Sequence, residues 1–161
     1  MNRSEYLNAI NEFFYQGEVL GEAFFAYCVA HETESERRHK WATLLQLETE
    51  TKARLRPFLL GLGLSVAQDD VTARVAEITT GFAAKSWQQH MREIDAITSH
   101  YLEKFRAIEA AAPEGTEREM ARAMVLHETA LNNFAKRELT GDVANSLADV
   151  TAQLHWPLGR G

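Results

Sequence analysis

Apolar residues recur along this chain in steps of three and four, which is the spacing of one face of an α-helix. The first such stripe runs from Tyr6 to Cys28. It follows Asn2 and Glu5, a pair typical of the capping box at a helix N-terminus. The pattern predicts a first long helix from Ser4 to Ala30.

Two glycines, Gly17 and Gly21, lie four residues apart inside this first predicted helix. Glycine in a helix interior is less favourable than alanine by about 1 kcal/mol. We therefore expect a neighbouring helix to approach closely at these positions.

A second long helix is predicted to begin at the capping box formed by Thr33 and Glu36. Pro57 has no backbone donor, so it should kink or end this helix near Arg56. Glycines at positions 61 and 63 are then expected to stop it.

The remainder of the chain predicts two further long helices and two short ones. Their expected limits are Val71 to Phe82 (short), Ser86 to Ala111 (long), the capping box of Thr116 and Glu119 to Gly141 (long), and Asp142 to Leu154 (short). Pro157 is expected to begin a tail.

The lengths of the connections predict how the long helices pack. Short loops join the first long helix to the second and the third to the fourth, so each pair should be neighbours. A long segment with its own short helix joins the second to the third. We expect one all-α domain over residues 1–161, a four-helix bundle with a long middle crossover and a short C-terminal helix. This is the ferritin-like arrangement.

Charge and cysteine content argue against several classes of protein. The net charge of −6 disfavours a general nucleic-acid binder. The single cysteine, Cys28, cannot form an intrachain disulfide. No apolar run approaches the length of a membrane span, and no basic-then-apolar leader opens the chain. We therefore expect a cytoplasmic protein with neither a membrane nor a nucleic-acid partner.

Two glutamates interrupt the apolar stripes. Glu48 lies on the stripe of the second long helix, and Glu128 lies on that of the fourth. An ionised carboxylate in a bundle core costs several kcal/mol unless a cation or hydrogen-bond donors satisfy it. Two such residues in equivalent places predict a positive group between them.

Glu18 and Asp95 flank the stripes of the first and third long helices in a similar way. Glu48 follows Glu18 by 30 residues and Glu128 follows Asp95 by 33, so the halves of the chain resemble a repeat. One carboxylate from each of four helices is the basic layout of a di-metal carboxylate centre. Oxygen ligands of this kind suit iron, manganese or magnesium.

Three segments carry a resemblance to a known family. They are QGEVLGEAFF at residues 16–25, LETETKA at residues 47–53 and HETAL at residues 127–131. They resemble helix segments of the ferritin-like superfamily, in particular its rubrerythrin branch, over roughly Glu5 to Glu138. The resemblance implies that Glu18, Glu48 and Glu128 are ligands in a bundle that binds two metal ions and reacts with oxygen or peroxide.

The chain also departs from that family. Where the family has a histidine three residues after a ligand glutamate, this chain has Thr51 and Leu131. His127, beside Glu128, and His90, one turn before Ile94, are the candidates to replace the missing ligands. Asp95 takes the place of a glutamate on spacing alone.

Three hypotheses stay open at this point, and no catalytic residue is assigned. The first is a di-metal oxidoreductase that uses two iron or manganese ions. The second is a bundle without metal that binds a small molecule or a protein partner, with Glu48 and Glu128 sharing a proton or paired with Lys52, Arg54 or a core histidine. The third is a structural protein that forms a homodimer through an apolar face.

Overall fold

The computed structural model describes residues 1–156, and every regular element within them is helical. The α-helices are α1 (Arg3–Ala9), α2 (Gln16–His31), α3 (Ser35–Gly61), α4 (Thr72–Ile78), α5 (Trp87–Ala111), α6 (Thr116–Thr140) and α7 (Ala148–Thr151). A π-helical segment, Ile10–Tyr15, joins α1 to α2, and 3₁₀ turns occur at Phe82–Ala84 and Val143–Asn145. The tail expected from Pro157 lies outside the described residues.

The long helices pack in the pairs that the short loops predicted. α2 lies along α3, and α5 lies along α6. The crossover, residues 62–86, contains α4, which packs on α2. The Tyr15 hydroxyl donates to the carbonyl of Val66 (2.8 Å), and the Gln16 amide donates to that of Ala67 (3.0 Å). The crossover is therefore fastened to the start of α2.

The first predicted helix has the expected capping box at Asn2 and Glu5, but it is not a uniform α-helix. The π-helical segment adds a residue to one turn, and it contains the adjacent residues Phe14 and Tyr15, both 0% exposed. The wider turn lets these two neighbours face the core together. A regular stripe with steps of three and four does not predict this.

The capping box predicted at Thr33 and Glu36 was wrong. The side chain of Glu34 instead accepts hydrogen bonds from the backbone amides of Glu36 (3.0 Å) and Arg37 (2.9 Å). These bonds satisfy two of the free donors at the start of α3, and a carboxylate there is also favoured by the helix dipole.

α3 does not end near Arg56, one of the two outcomes predicted for Pro57, because it continues through this residue to Gly61. Leu55 and Leu59, which flank Pro57, are both 0% exposed. Their packing holds the last turns of the helix despite the missing backbone donor. The expected stop at the two glycines is confirmed, since Gly63 has φ +74°.

Three other limits also differ from the prediction. The fourth long helix starts at Thr116, its N-cap is Gly115 with φ +95°, and no side chain caps it. The short helix predicted from Val71 to Phe82 corresponds to α4, which ends earlier, at Ile78, since Gly81 adopts φ +72°. The helix expected from Asp142 is divided into a 3₁₀ turn and α7, because side chains bond locally there and compete with the helix.

The apolar core divides into two clusters. One contains Phe25 of α2, Trp41 and Leu44 of α3, Met91 of α5 and Phe134 of α6, among others. The other contains Phe14, Val19, Leu55, Phe105 and Met124, among others. On α3 and α6 the buried residues between the two clusters are polar or charged: Glu48 and Lys52 on α3, and His127 and Glu128 on α6. None of the helices formed by residues 1–156 is both long and apolar enough to cross a membrane.

Candidate metal centre

Three helices place acidic side chains between the two apolar clusters. Glu18 comes from α2, Glu48 from α3 and Glu128 from α6, next to His127. Their exposed fractions are 2% for Glu18 and His127, 3% for Glu48 and 6% for Glu128. The prediction that Glu48 and Glu128 point into the core is confirmed. We call these four residues the candidate centre.

The donor atoms of the candidate centre converge. The Nε2 atom of His127 lies 3.2 Å from Oε1 of Glu18 and 3.7 Å from Oε1 of Glu48. One donor atom from each of these three residues lies within 4.8 Å of the others. Among the described residues, neither Nε2 of His127 nor Oε2 of Glu18 has a hydrogen-bond partner, although both atoms are buried. Buried polar atoms without partners are rare, and here two of them belong to side chains that approach within 3.2 Å of one another.

Gly21 makes room for the carboxylate of Glu48. A Cβ atom at Gly21 would lie 2.5 Å from Oε2 and 2.7 Å from Cδ of Glu48, closer than atoms that are not bonded can approach. The close approach expected at the glycine pair therefore occurs at Gly21, and the neighbour is a side chain. At Gly17, by contrast, the nearest atom to a Cβ would be Cε1 of Tyr101, at an ordinary 4.0 Å.

Thr51 holds the ring of His127. Its Oγ1 lies 3.1 Å from Nδ1 of His127. If the hydroxyl accepts this hydrogen bond, Nδ1 carries the ring proton and Nε2 is free to bind a metal ion. Thr51 stands where the rubrerythrin resemblance would place a histidine on the second helix. The structure instead brings a histidine from α6 to the same carboxylates.

Burial changes the acidity of the centre. It raises the pKa of Glu18 well above its usual range, and the charge of Glu48 and a hydrogen bond with it raise this pKa further. Burial, followed by the charge of Glu48, likewise raises the pKa of Glu128. In the absence of a cation, these two carboxyl groups are therefore stabilised in their protonated forms.

The basic residues named as possible partners of the glutamates lie elsewhere. Lys52 pairs with Glu22, with its Nζ 2.6 Å from Oε1, and Arg54 is exposed. Within residues 1–156, the side chain that contacts Glu18 and Glu48 and can carry a positive charge is that of His127.

Asp95 is not brought into the candidate centre. It lies one residue beyond Ile94, which faces the core, and one residue turns the side-chain direction by about 100°. Its carboxylate is partly exposed and accepts a hydrogen bond from Asn132 (2.9 Å), while Nζ of Lys136 lies 3.9 Å away. α5 therefore places Ile94 and Thr98, rather than a carboxylate, on the side of the helix that faces the glutamates.

His90 is buried but also stands apart from the close group of donor atoms. Its ring lies 4.5 Å from that of Phe82 and 5.9 Å from that of Trp41, measured between centroids. Burial among these aromatic rings lowers the pKa of His90. Its neutral ring serves as a packing group in the wall of a cavity.

That cavity has a volume of about 360 Å³ and reaches the carboxylates from the side of α2 and α5. Glu18, Glu48 and Glu128 all line it. So does Tyr101, whose pKa is raised by burial and by the charge of Glu128. No repeat or motif in the sequence predicted the cavity, or that Tyr101 would line it.

Comparisons of the chain with protein-family models, with curated proteins and with solved structures found no match. The likeness of its three segments to rubrerythrins therefore stays a prediction. The chemistry of the candidate centre has to follow from its own donor atoms.

Proposed function

We propose that this chain is a ferritin-like four-helix bundle that binds iron or manganese at Glu18, Glu48, His127 and Glu128. The observation that carries the proposal is the convergence of buried donor atoms without partners. Nε2 of His127 and Oε2 of Glu18 are both in this state. A divalent cation would satisfy both atoms and balance the charge of the three carboxylates.

The helix pairing supports the ferritin-like part of the proposal. Two pairs of neighbouring long helices joined by a crossover with its own short helix are what this arrangement requires. The candidate centre lies inside, between two apolar clusters, as metal sites in such bundles do.

The donor set suits iron or manganese. Three carboxylates and one imidazole combine hard oxygen ligands with a nitrogen ligand that iron accepts well. Glu18, Glu48 and His127 would hold one ion, and Glu128 is available to a second ion that shares Glu48. Iron or manganese, when bound, supplies redox chemistry, so oxidoreductase is the enzyme class that fits this centre.

The residues around the ligands hold them in position for metal binding. Gly21 gives Glu48 its space, and Thr51 fixes the ring of His127. The apolar clusters on either side lower the polarity around the centre, which strengthens electrostatic interactions inside. Burial raises the pKa values of Glu18 and Glu128, so their protonated forms are favoured without metal, and a bound cation would displace those protons.

Metal analysis tests the proposal directly. Protein supplemented with Fe²⁺ without oxygen, or with Mn²⁺, is desalted and its metal content measured, and calorimetry gives the affinity. We expect at least one equivalent for the parent and a loss of binding for Glu48→Gln. Asp95→Asn is the matched control, since Asp95 lies outside the candidate centre and should leave binding unchanged. Less than one equivalent for the parent would refute the proposal.

A second candidate is a bundle without metal in which the glutamates stay protonated. One observation favours it: α5 contributes no carboxylate to the close group, and Asp95 bonds to Asn132 instead. This form would show the same melting temperature with and without chelator. It would also tolerate Glu48→Leu without loss of stability, because a well-packed apolar residue can replace a buried polar one.

The homodimer expected from the sequence remains a prediction. Sedimentation over a series of concentrations tests it, and a monomer at the highest concentration would exclude it.

A further inference from the structure

The cavity beside the candidate centre has a polar floor and an apolar wall. Its floor is formed by the carboxylates of Glu18, Glu48 and Glu128. Its volume of about 360 Å³ lies at the lower end of the range of small-molecule pockets, about 300–1,000 Å³. The space therefore suits a small molecule that contacts the floor with one end.

The wall offers aromatic and aliphatic surface. Phe24, Phe25 and Phe105 contribute rings, and Ile94 contributes an aliphatic side chain. Thr98 is also present, but its hydroxyl already donates to the backbone carbonyl of Ile94 (2.7 Å). The body of a ligand would therefore gain more from apolar contact here than from hydrogen bonds.

Charged side chains at the cavity are already paired with partners. Arg74 lies 2.6 Å from Glu77, and Lys85 lies 2.9 Å from Glu93. Ile97, which also lines the cavity, is 48% exposed and so marks the opening towards solvent. Because its cations are neutralised, the opening does not select strongly for an anion.

We infer that the cavity binds a small uncharged molecule, aromatic or short-chain aliphatic, with one hydroxyl or carbonyl oxygen directed at the metal ion of the candidate centre. This inference rests on the proposed function, because the oxygen needs a cation at the floor. Once the carboxylates bind metal they are neutralised, and an uncharged ligand then meets no uncompensated charge. An organic cation would instead compete with the metal.

The experiment uses 2-naphthol as the probe and cobalt as a spectroscopic metal. Metal content is measured first, so that the proposed function is tested before the inference. The probe is then titrated into Co²⁺-loaded and metal-free protein, with its fluorescence and the visible absorption of Co²⁺ as the two signals. We expect the probe to bind about tenfold more tightly to the loaded protein. The cobalt spectrum should change in proportion to the amount bound.

Two variants locate the probe. Ile97→Trp narrows the opening, and Gly17→Leu places a side chain on the wall. Each should weaken probe binding by about tenfold or more while the metal content stays at the parent level. Leu126→Trp is the matched control, because Leu126 is a 58% exposed apolar residue on α6 that does not line the cavity.

The outcomes separate the two proposals. Protein that binds metal but not the probe, or whose probe affinity is unchanged in both cavity variants, overturns the inference and leaves the proposed function standing. Equal affinity for the probe with and without metal also overturns it. Displacement of the metal by naphthylmethylamine, an organic cation, with no cobalt response to 2-naphthol, would show that the site accepts amines and would likewise overturn the inference. Failure to bind metal overturns both.

Discussion

Replacing Gly21 by alanine should weaken metal binding while it strengthens the metal-free fold. The Cβ of the alanine would lie 2.5 Å from Oε2 of Glu48, whereas ordinary contact begins at 3.4 Å. The carboxylate must therefore retreat by about 0.9 Å, since it is the flexible end of a side chain and the helix backbone is not. A metal site requires ligand distances within about 0.2 Å of their ideal values.

The size of the effect follows from this displacement. Disturbing the supports of a metal ligand typically costs about 10–100-fold in affinity. At a metal concentration of about 100 times the parent Kd, the ion stabilises the parent by about 2.7 kcal/mol. At tenfold weaker affinity, the same concentration stabilises the variant by only about 1.4 kcal/mol. In chelator, the alanine should instead add about 0.5–1 kcal/mol, because glycine is a poor helix former.

Urea unfolding with and without metal measures both effects, and calorimetry gives the affinity. Gly17→Ala is the matched control: it lies on the same helix and gains the same helix propensity, but its Cβ meets Tyr101 at an ordinary 4.0 Å. We expect Gly17→Ala to be more stable than the parent in both conditions and to bind metal normally. If Gly21→Ala binds metal as tightly as Gly17→Ala, Glu48 is not a ligand and the reasoning fails.

Three further predictions test the surroundings of the centre. Thr51→Val removes the hydroxyl 3.1 Å from Nδ1 of His127 and should weaken metal binding about tenfold by calorimetry, whereas Thr51→Ser should restore it. In chelator, the free energy of unfolding should fall as the pH rises above 4.5. The reason is that the raised pKa values of Glu18 and Glu128 let the folded state keep protons that the unfolded state releases. A pH series of urea titrations checks this, and excess metal should flatten the decline. Lys40→Met should cost about 3–5 kcal/mol in urea unfolding, because it leaves Glu138, 2.5 Å away, buried without its cation. Adding Glu138→Gln removes the buried charge and keeps an acceptor for Nε1 of Trp87 (2.7 Å), so it should recover most of the loss, and no recovery would mean that the pair is not the cause.

The periodicity of apolar residues was enough to predict the long helices, and the short loops between them predicted their pairing. It also predicted that Glu48 and Glu128 face the core, because each occupies a position on the stripe itself. Asp95 and Glu18 both flank a stripe by one residue, yet Glu18 is 2% exposed and Asp95 is bonded to Asn132. A flanking position is ambiguous in sequence, and the packing of the neighbouring helices decides it.

Helix ends were harder to predict than helices. Several polar side chains near the start of a helix compete for the same free backbone amides. Glu34, rather than the predicted Thr33, accepts the hydrogen bonds from these amides. Pro57 removes one hydrogen bond, but burial of two leucines on either side outweighs that loss. Such competitions depend on tertiary contacts that no local pattern contains.

The missing histidines are explained by geometry rather than by motif. A family pattern assigns each ligand to a position in the sequence, but metal binding depends only on the positions of the donor atoms in space. Thr51 has a hydroxyl where the pattern of the resembled family has an imidazole, and His127 presents an imidazole to Glu18 and Glu48 from α6. Two residues together give the sequence signal for this arrangement: Thr51, three residues after Glu48, and His127, beside Glu128.

Charge balance is what finally connects this fold to its proposed function. Three carboxylates and one imidazole share a buried space, while Lys40 and Lys52 are committed to other acids. The described residues therefore leave two ways to neutralise the centre, protons or a metal ion. Protons can neutralise each carboxyl group singly, but they do not explain why Nε2 of His127 and Oε2 of Glu18 are both buried without a hydrogen-bond partner. A cation does, because it needs several free donor atoms at one point, and Gly21 keeps the space that lets Glu48 join them.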